Sequence, residues 1–161
     1  MPIVSVSGIR GVFGEEIDPS LAASIGRKFG AYTGSGRIAI ACDTRTTSRL
    51  LKDSAITGLV FSGCTVFDLG FSSTPSVFKE VAARKLDGGM VITASHNPPE
   101  WNGIKLVQKG GRGVFEDELS AIQSARMKVA TKQGRLTKQK ALYEEALRNR
   151  AGKNSAQSVN V

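Results

Sequence analysis

Arg37-Ile38-Ala39-Ile40-Ala41-Cys42, running directly into Asp43-Thr44-Arg45-Thr46-Thr47-Ser48, decides the fold. The first six residues read as a strand, and the polar run after them as the loop that leads into a helix. That helix begins near Thr47 or Ser48. It places Leu51, Ala55, Leu59 and Val60 at helical spacing and stops at Gly63. Downstream, Thr65-Val66-Phe67-Asp68-Leu69 is a second strand of this kind. A helix opening at Thr74-Pro75 follows, with Val77, Phe78, Val81 and Ala82 on one face and an expected end at Gly88-Gly89. Met90-Val91-Ile92-Thr93 is the next strand. Upstream, Asp18-Pro19 supplies an N-cap and a proline at the first helical position, and Leu21, Ile25, Phe29 and Tyr32 give that helix its apolar face. Ile3-Val4-Ser5-Val6 is a strand before it. The order β-α-β-α-β-α-β predicts an α/β fold: a three-layer α/β/α sandwich with a mainly parallel sheet of four or five strands. The fifth, Ile104-Lys105-Leu106-Val107, leaves room for a mixed order.

The chain then runs into a helix from about Glu116, with Leu119, Ile122 and Val129 on one side. We expect a domain over residues 1–130 and a basic helical or linker tail over 131–161, with a weak helix at Leu142–Leu147 and a polar end at Gly152–Ser158. The net charge of +8 is unevenly placed. Residues 126–161 carry nine basic and two acidic side chains, whereas residues 1–125 are nearly balanced. With Tyr143 as the sole aromatic of that run, the pattern reads as a solvated face, and nucleic acid is not an expected partner. A hydrophobic content of 40% and a charged content of 22% over 161 residues exclude wholesale disorder. No apolar run approaches the ~18 residues of a membrane span, and the start shows no secretory signal. Cys42 and Cys64 lack metal or redox spacing, so the expected location is the cytoplasm. With one histidine, a zinc site is not expected.

In open α/β sheets ligands gather at the carboxyl ends of strands. Ser7-Gly8-Ile9-Arg10-Gly11, Asp43-Thr44-Arg45-Thr46-Thr47-Ser48, Ser72-Ser73-Thr74 and Thr93-Ala94-Ser95-His96-Asn97-Pro98-Pro99 follow the expected strands. Hydroxyls, two arginines and a histidine on one edge make an anion site, with phosphate the obvious anion. Ser95 is the sharpest residue. Pro98-Pro99 keeps Asn97 out of helical geometry, so the segment is expected to be an extended, exposed loop. Ser95 beside His96, with Arg10 and Lys105 in reach, is then a nucleophile or a phosphoryl carrier. A hydrolase triad is the competing idea, but neighbouring side chains in extended backbone point apart, and no Gly-x-Ser-x-Gly elbow is present.

Thr93-Ala94-Ser95-His96-Asn97-Pro98-Pro99, followed by Asn102-Gly103-Ile104-Lys105, resembles the phosphoserine loop of the α-D-phosphohexomutases, the superfamily of phosphoglucomutase, phosphomannomutase and phosphoglucosamine mutase. Ser7-Gly8-Ile9-Arg10-Gly11 and Asp43-Thr44-Arg45 match two further motifs in the right order, and the likeness covers roughly residues 3–125. The resemblance implies phosphoryl transfer between the 1- and 6-positions of a hexose phosphate, through a hexose 1,6-bisphosphate. Ser95 would be donor and acceptor, with its phosphate one ligand of a Mg²⁺. Arg10 and Lys105 would offset charge, and Lys105 would also serve as acid–base group. His96 would be a supporting donor, and Ser7 and Asn97 would contact phosphate or substrate. Asp43 and Arg45 are supporting residues, read as a salt bridge bracing the loops or as substrate contacts.

Two positions depart from the family pattern. Ser5-Val6 stand where it usually has Gly-Thr, and Ala41-Cys42 where Gly-Arg often precedes Asp-Thr-Arg. The Asp-Gly-Asp-Gly-Asp metal loop and the sugar-specificity loop do not occur in the sequence. The expectation is therefore the first of four domains, an enzyme of the isomerase class that does not turn over alone. Its partners would be the missing domains, with self-association through an uncovered interdomain face. A non-catalytic sugar-phosphate binding module and an interaction scaffold are the alternatives.

Overall fold

Asp18 caps the first helix. Its Oδ1 accepts a hydrogen bond from the Leu21 amide at 2.7 Å, and Pro19, which has no N–H to lose, takes the first helical position of α1 (Pro19–Tyr32). In this computed structural model, which describes residues 1–127, 130–143, 145, 147 and 148, α1 is preceded by β1 (Ile3–Ser5) and β2 (Gly8–Val12). After it come β3 (Arg37–Cys42), α2 (Ser48–Phe61), β4 (Thr65–Phe71), α3 (Thr74–Ala83), β5 (Gly88–Ile92), β6 (Trp101–Gln108), β7 (Arg112–Gly113), α4 (Glu116–Ser124) and β8 (Arg135–Lys138). Val129 and Gly152–Ser158 lie outside the described residues, as does part of Leu142–Leu147.

All eight strands join one sheet, ordered β1-β2-β6-β5-β3-β4-β8, with β7 paired to β6. The three-layer α/β/α arrangement is as expected, but the sheet is larger and more mixed than the sequence predicts. β5, β3, β4 and β8 pair in parallel, whereas β1, β2, β6 and β7 pair antiparallel to their neighbours. The reason lies in the connections. Residues 93–100 join β5 to β6 without a helix, and so short a link cannot make the crossover that parallel pairing needs. Ser7-Gly8-Ile9-Arg10-Gly11, read as a loop, supplies β2, because Ile9, Arg10, Gly11 and Val12 pair with Ile104, Gly103, Asn102 and Trp101. Residues 135–138, read as tail, supply the edge strand β8. Gly88-Gly89 do not end α3 but open β5. A Cβ there would meet the Phe29 ring at 2.7 Å or Val77 Cγ1 at 2.8 Å, so these glycines answer to packing.

Strand alternation divides the core between the faces. Ile38, Ile40, Val66, Met90, Ile92, Ile104 and Leu106 meet α1, α2 and α4, through Ile25, Phe29, Leu51, Leu59, Leu119 and Ile122 among others. Ala39, Ala41, Val91 and Val107 meet Val77 and Val81 of α3. Cys42 and Cys64 are free, buried thiols, and burial pushes both up to about 11, so neither is a nucleophile at neutral pH. Three charged side chains among the described residues are also buried. Lys52 Nζ donates to both oxygens of Asp68, at 2.7 and 2.9 Å. The Glu80 carboxylate, fully enclosed, accepts from Arg84, from Gln139 Nε2 and from the Leu142 amide. A buried charge stands only when paired and hydrogen-bonded in this way.

Candidate active site

The loop between β5 and β6 lies at the carboxyl ends of the parallel strands, and its shape corrects the extended segment expected from Pro98-Pro99. Ala94–Asn97 forms a turn closed by a hydrogen bond from Asn97 N to Ala94 O at 3.1 Å, and a second turn is closed from Trp101 N to Pro98 O. Ser95 occupies the left-handed region at φ 59°. For a residue with a Cβ that costs on the order of 1–2 kcal/mol, so surrounding contacts must hold it. Two do so directly. The Ser95 amide donates to Thr93 Oγ1 at 2.9 Å, and the Ser95 carbonyl accepts from Arg45 at 3.1 Å. With its backbone fixed on both sides, Ser95 is exposed to solvent.

Arg45 is the clamp of this loop. One terminal nitrogen donates to Pro98 O and Trp101 O, at 2.6 and 3.1 Å, and the other to Ser95 O and Asn97 O, at 3.1 and 2.7 Å. Its Nε lies 3.3 Å from Asp43 Oδ2. Of the two readings of Asp43 and Arg45 open in the sequence, bracing is what the geometry favours: a planar guanidinium with its N–H groups turned to carbonyls has nothing left for a phosphate. Asp43 Oδ1 accepts in turn from Ser48 Oγ at 2.5 Å and from the Arg45 amide at 3.1 Å. Asn102, fully buried, donates to Thr47 Oγ1 and Ser48 Oγ, at 2.8 and 2.9 Å, and accepts from the Gly103 amide. Sequence reasoning placed Thr47 and Ser48 on the expected anion edge and Asn102 in the loop motif, but did not see that they join one another. An asparagine beside a glycine within a strand is the signal that was there to use, since neither residue favours a strand.

Arg10 reaches the loop from β2. It pairs with Gly103, whose carbonyl accepts from the Thr93 amide, so Arg10 stands level with the start of the loop. Its guanidinium donates to Asn97 Oδ1 at 3.3 Å and to Ser7 O at 3.5 Å. Ser7 Oγ shares a hydrogen bond with Ser5 Oγ at 2.8 Å. A Cβ on Gly103 would fall within 2.7 Å of Thr93 O and 2.9 Å of Arg10 Cγ, so this glycine lets strand, loop and arginine meet. Lys105 lies two residues further along β6 than Gly103, on the face that carries Arg10 and α3. It is not joined to the loop: its Nζ lies 5.7 Å from the centre of the Phe78 ring. His96 is exposed and, among the described residues, makes no hydrogen bond, so the supporting-donor role receives no contact here. A shallow cleft of about 460 Å³ lined by Asp43, Thr44, Arg45, Ser95, Asn97 and Pro99 opens beside the serine.

A loop that fixes an exposed serine in a strained conformation beside Arg10, whose guanidinium touches neutral oxygens and no carboxylate among the described residues, suits covalent transfer of an anionic group. Comparison with known proteins bears on which. The family model described as phosphoglucomutase/phosphomannomutase, alpha/beta/alpha domain I, matches residues 2–133. The chain belongs to that family. A protein named "Probable phosphoglucosamine mutase" from Thermococcus gammatolerans is 45% identical over 111 residues, which are 69% of this chain and 25% of the relative. A phosphoglucomutase/phosphomannomutase from Thermococcus kodakarensis is 41% identical over 121 residues, covering 72% of this chain and 26% of its own length. In structure, a phosphoglucomutase/phosphomannomutase family protein from Burkholderia thailandensis superposes with a TM-score of 0.78 at 28% identity, over 93% of this chain and 36% of that one. The chain thus spans about a quarter of the length of the curated relatives it matches. It is a phosphohexomutase domain I, and the expected likeness to that superfamily holds.

Proposed function

We propose that this domain carries the phosphoryl group of a phosphohexomutase on Ser95. The observation that supports this most is the conformation of Ser95: left-handed, exposed, and tied by both its N–H and its C=O. Such preorganisation holds an oxygen in place for in-line transfer without reorganising at the moment of reaction. In the forward step the bond from Ser95 Oγ to phosphorus breaks as phosphorus bonds to a hydroxyl oxygen of the hexose phosphate. Lys105 relays the hydroxyl proton, which ends on the departing Ser95 Oγ and restores the serine hydroxyl. The resulting bisphosphate turns over and returns its other phosphoryl group to Ser95. Arg10 offsets the charge on the transferring oxygens. For Lys105 to act, its side chain must leave the Phe78 ring and turn toward the loop, a rotation open to a long, half-exposed side chain. Arg45 and Asp43 act through the loop rather than on the substrate.

The residues present do not fit a Mg²⁺ site by themselves. Among the described residues no group of three or more His, Cys, Asp or Glu is placed to hold a metal, and Ser95 offers one oxygen. No step is therefore assigned to the metal, and hexose phosphate turnover would need the remaining domains as partners. No helix among the described residues is long and apolar enough to cross a membrane. The deciding experiment is intact-mass analysis after incubation with glucose 1,6-bisphosphate. The expected result is one added phosphoryl group, absent in Ser95→Ala. No uptake, even with the other domains of a relative supplied, would favour a binding module that has lost the reaction.

A further inference from the structure

Phosphoryl transfer at Ser95 leaves the basic run after residue 125 without a role, and the fold carries part of that run to a second cleft. β8 lies along β4 at the sheet edge, and between it and α2 opens a cleft of about 700 Å³. It shares no lining residue with the cleft at Ser95. The topology explains why it is there. β3 continues into α2 on one face of the sheet and β4 into α3 on the other, so the chain diverges after Cys42 and Phe71, which both line the cleft. A divergence of that kind is where open α/β sheets bind ligands.

The cleft has two chemical halves. Lys52 and Asp68 at its base neutralise each other. Arg49, Lys138 and Lys140 on its walls are exposed and take part in no ion pair among the described residues, and the one other carboxylate is Asp53. The walls therefore carry an excess of positive charge. Beside them Phe71 is 58% exposed and Leu136 50% exposed, an apolar surface next to the cations. A bare phosphate would leave that surface wet, and a hexose phosphate would cover it with hydroxyls. A flat ring carrying phosphates uses both halves, by apolar contact and stacking for the ring and ion pairs for the phosphates. We propose that this cleft binds a nucleotide, with Phe71 and Leu136 against the base and Arg49, Lys138 and Lys140 on the phosphates.

The test is calorimetric titration of the full chain with ADP, inorganic pyrophosphate and glucose 6-phosphate. ADP should bind with a Kd below about 1 mM, tighter than both other probes and weakening as salt rises. Lys138→Glu and Arg49→Glu should each weaken ADP and pyrophosphate by about fivefold, the scale of a surface ion pair. Asp53→Asn should tighten both. Phe71→Ser should bring ADP down to the affinity of pyrophosphate and leave pyrophosphate unchanged. Ser95→Ala should alter none of these values, which separates this site from the phosphoryl carrier. The proposal fails if ADP binds no better than pyrophosphate or does not bind, or if the charge reversals leave its affinity unchanged.

Discussion

Arg45 and Arg49 stand a few residues apart, one just before α2 and one in its first turn, and their guanidinium groups meet opposite fates. Arg45 is largely enclosed and spends its donors on four backbone carbonyls and a carboxylate, so its charge is consumed in holding a loop. Arg49 is exposed on the wall of a cleft and forms no ion pair among the described residues. The difference shows that a positive charge says little until its donors are accounted for. A guanidinium with every N–H satisfied is scaffolding, and one without partners is available to a ligand. Arg112 stands between the two, exposed yet paired with both oxygens of Glu118, at 2.8 and 2.5 Å.

The comparison can be broken most readily at Arg45. Arg45→Ala leaves four carbonyls and the Asp43 carboxylate without their donor, and should lower unfolding free energy by about 3 kcal/mol in urea titration. It should also abolish phosphoryl uptake at Ser95. Arg45→Lys keeps the charge but not the fork, and should recover less than about half of the lost stability. An unchanged urea midpoint in Arg45→Ala would disprove the clamp.

A smaller effect is expected at the Arg112 pair, and it depends on pH. The Arg112 guanidinium and the Phe115 amide hold the Glu118 carboxyl down to about 2. Because the folded value is depressed, the stability it contributes is complete above the ordinary carboxylate value of about 4.3. It is lost as pH falls from there toward about 2. Thermal melts across that window should show Glu118→Gln with a flatter acid decline than the parent; parallel curves would refute the assignment. Smallest of all, Arg49→Ala should shift stability by no more than about 0.5 kcal/mol, because nothing in the fold depends on it. A larger loss in urea titration would mean that Arg49 is structural after all.

The parts legible in the sequence were those set by neighbours in the chain. Asp18-Pro19 announces α1 because cap and proline act within one turn, and the apolar runs at 37–42, 65–69 and 90–93 carry their own burial. β2 escaped because Gly8-Ile9-Arg10-Gly11 has a turn composition, and its strand character comes from the ladder to Ile104 and Gly103. β8 escaped for the same reason: all four of its residues are exposed, and only β4 makes them a strand. At the candidate site the motif pointed to Ser95 and left Arg45 as brace or substrate contact, yet neither the left-handed turn nor the four carbonyls that Arg45 holds could be read. The acceptors that Arg45 binds lie 50 to 56 residues away.

The enclosed Glu80 carboxylate has a consequence for how the domain is made. Arg84 leaves the ribosome one helical turn after it, but Gln139 and Leu142 follow 59 and 62 residues later. At about 5–20 residues per second, translation leaves that acid short of its last donors for roughly 3–12 s. A nascent chain arrested before residues 139–142 have cleared the ribosome should hold α3 loosely against the sheet, open to proteolysis, and tighten once they emerge.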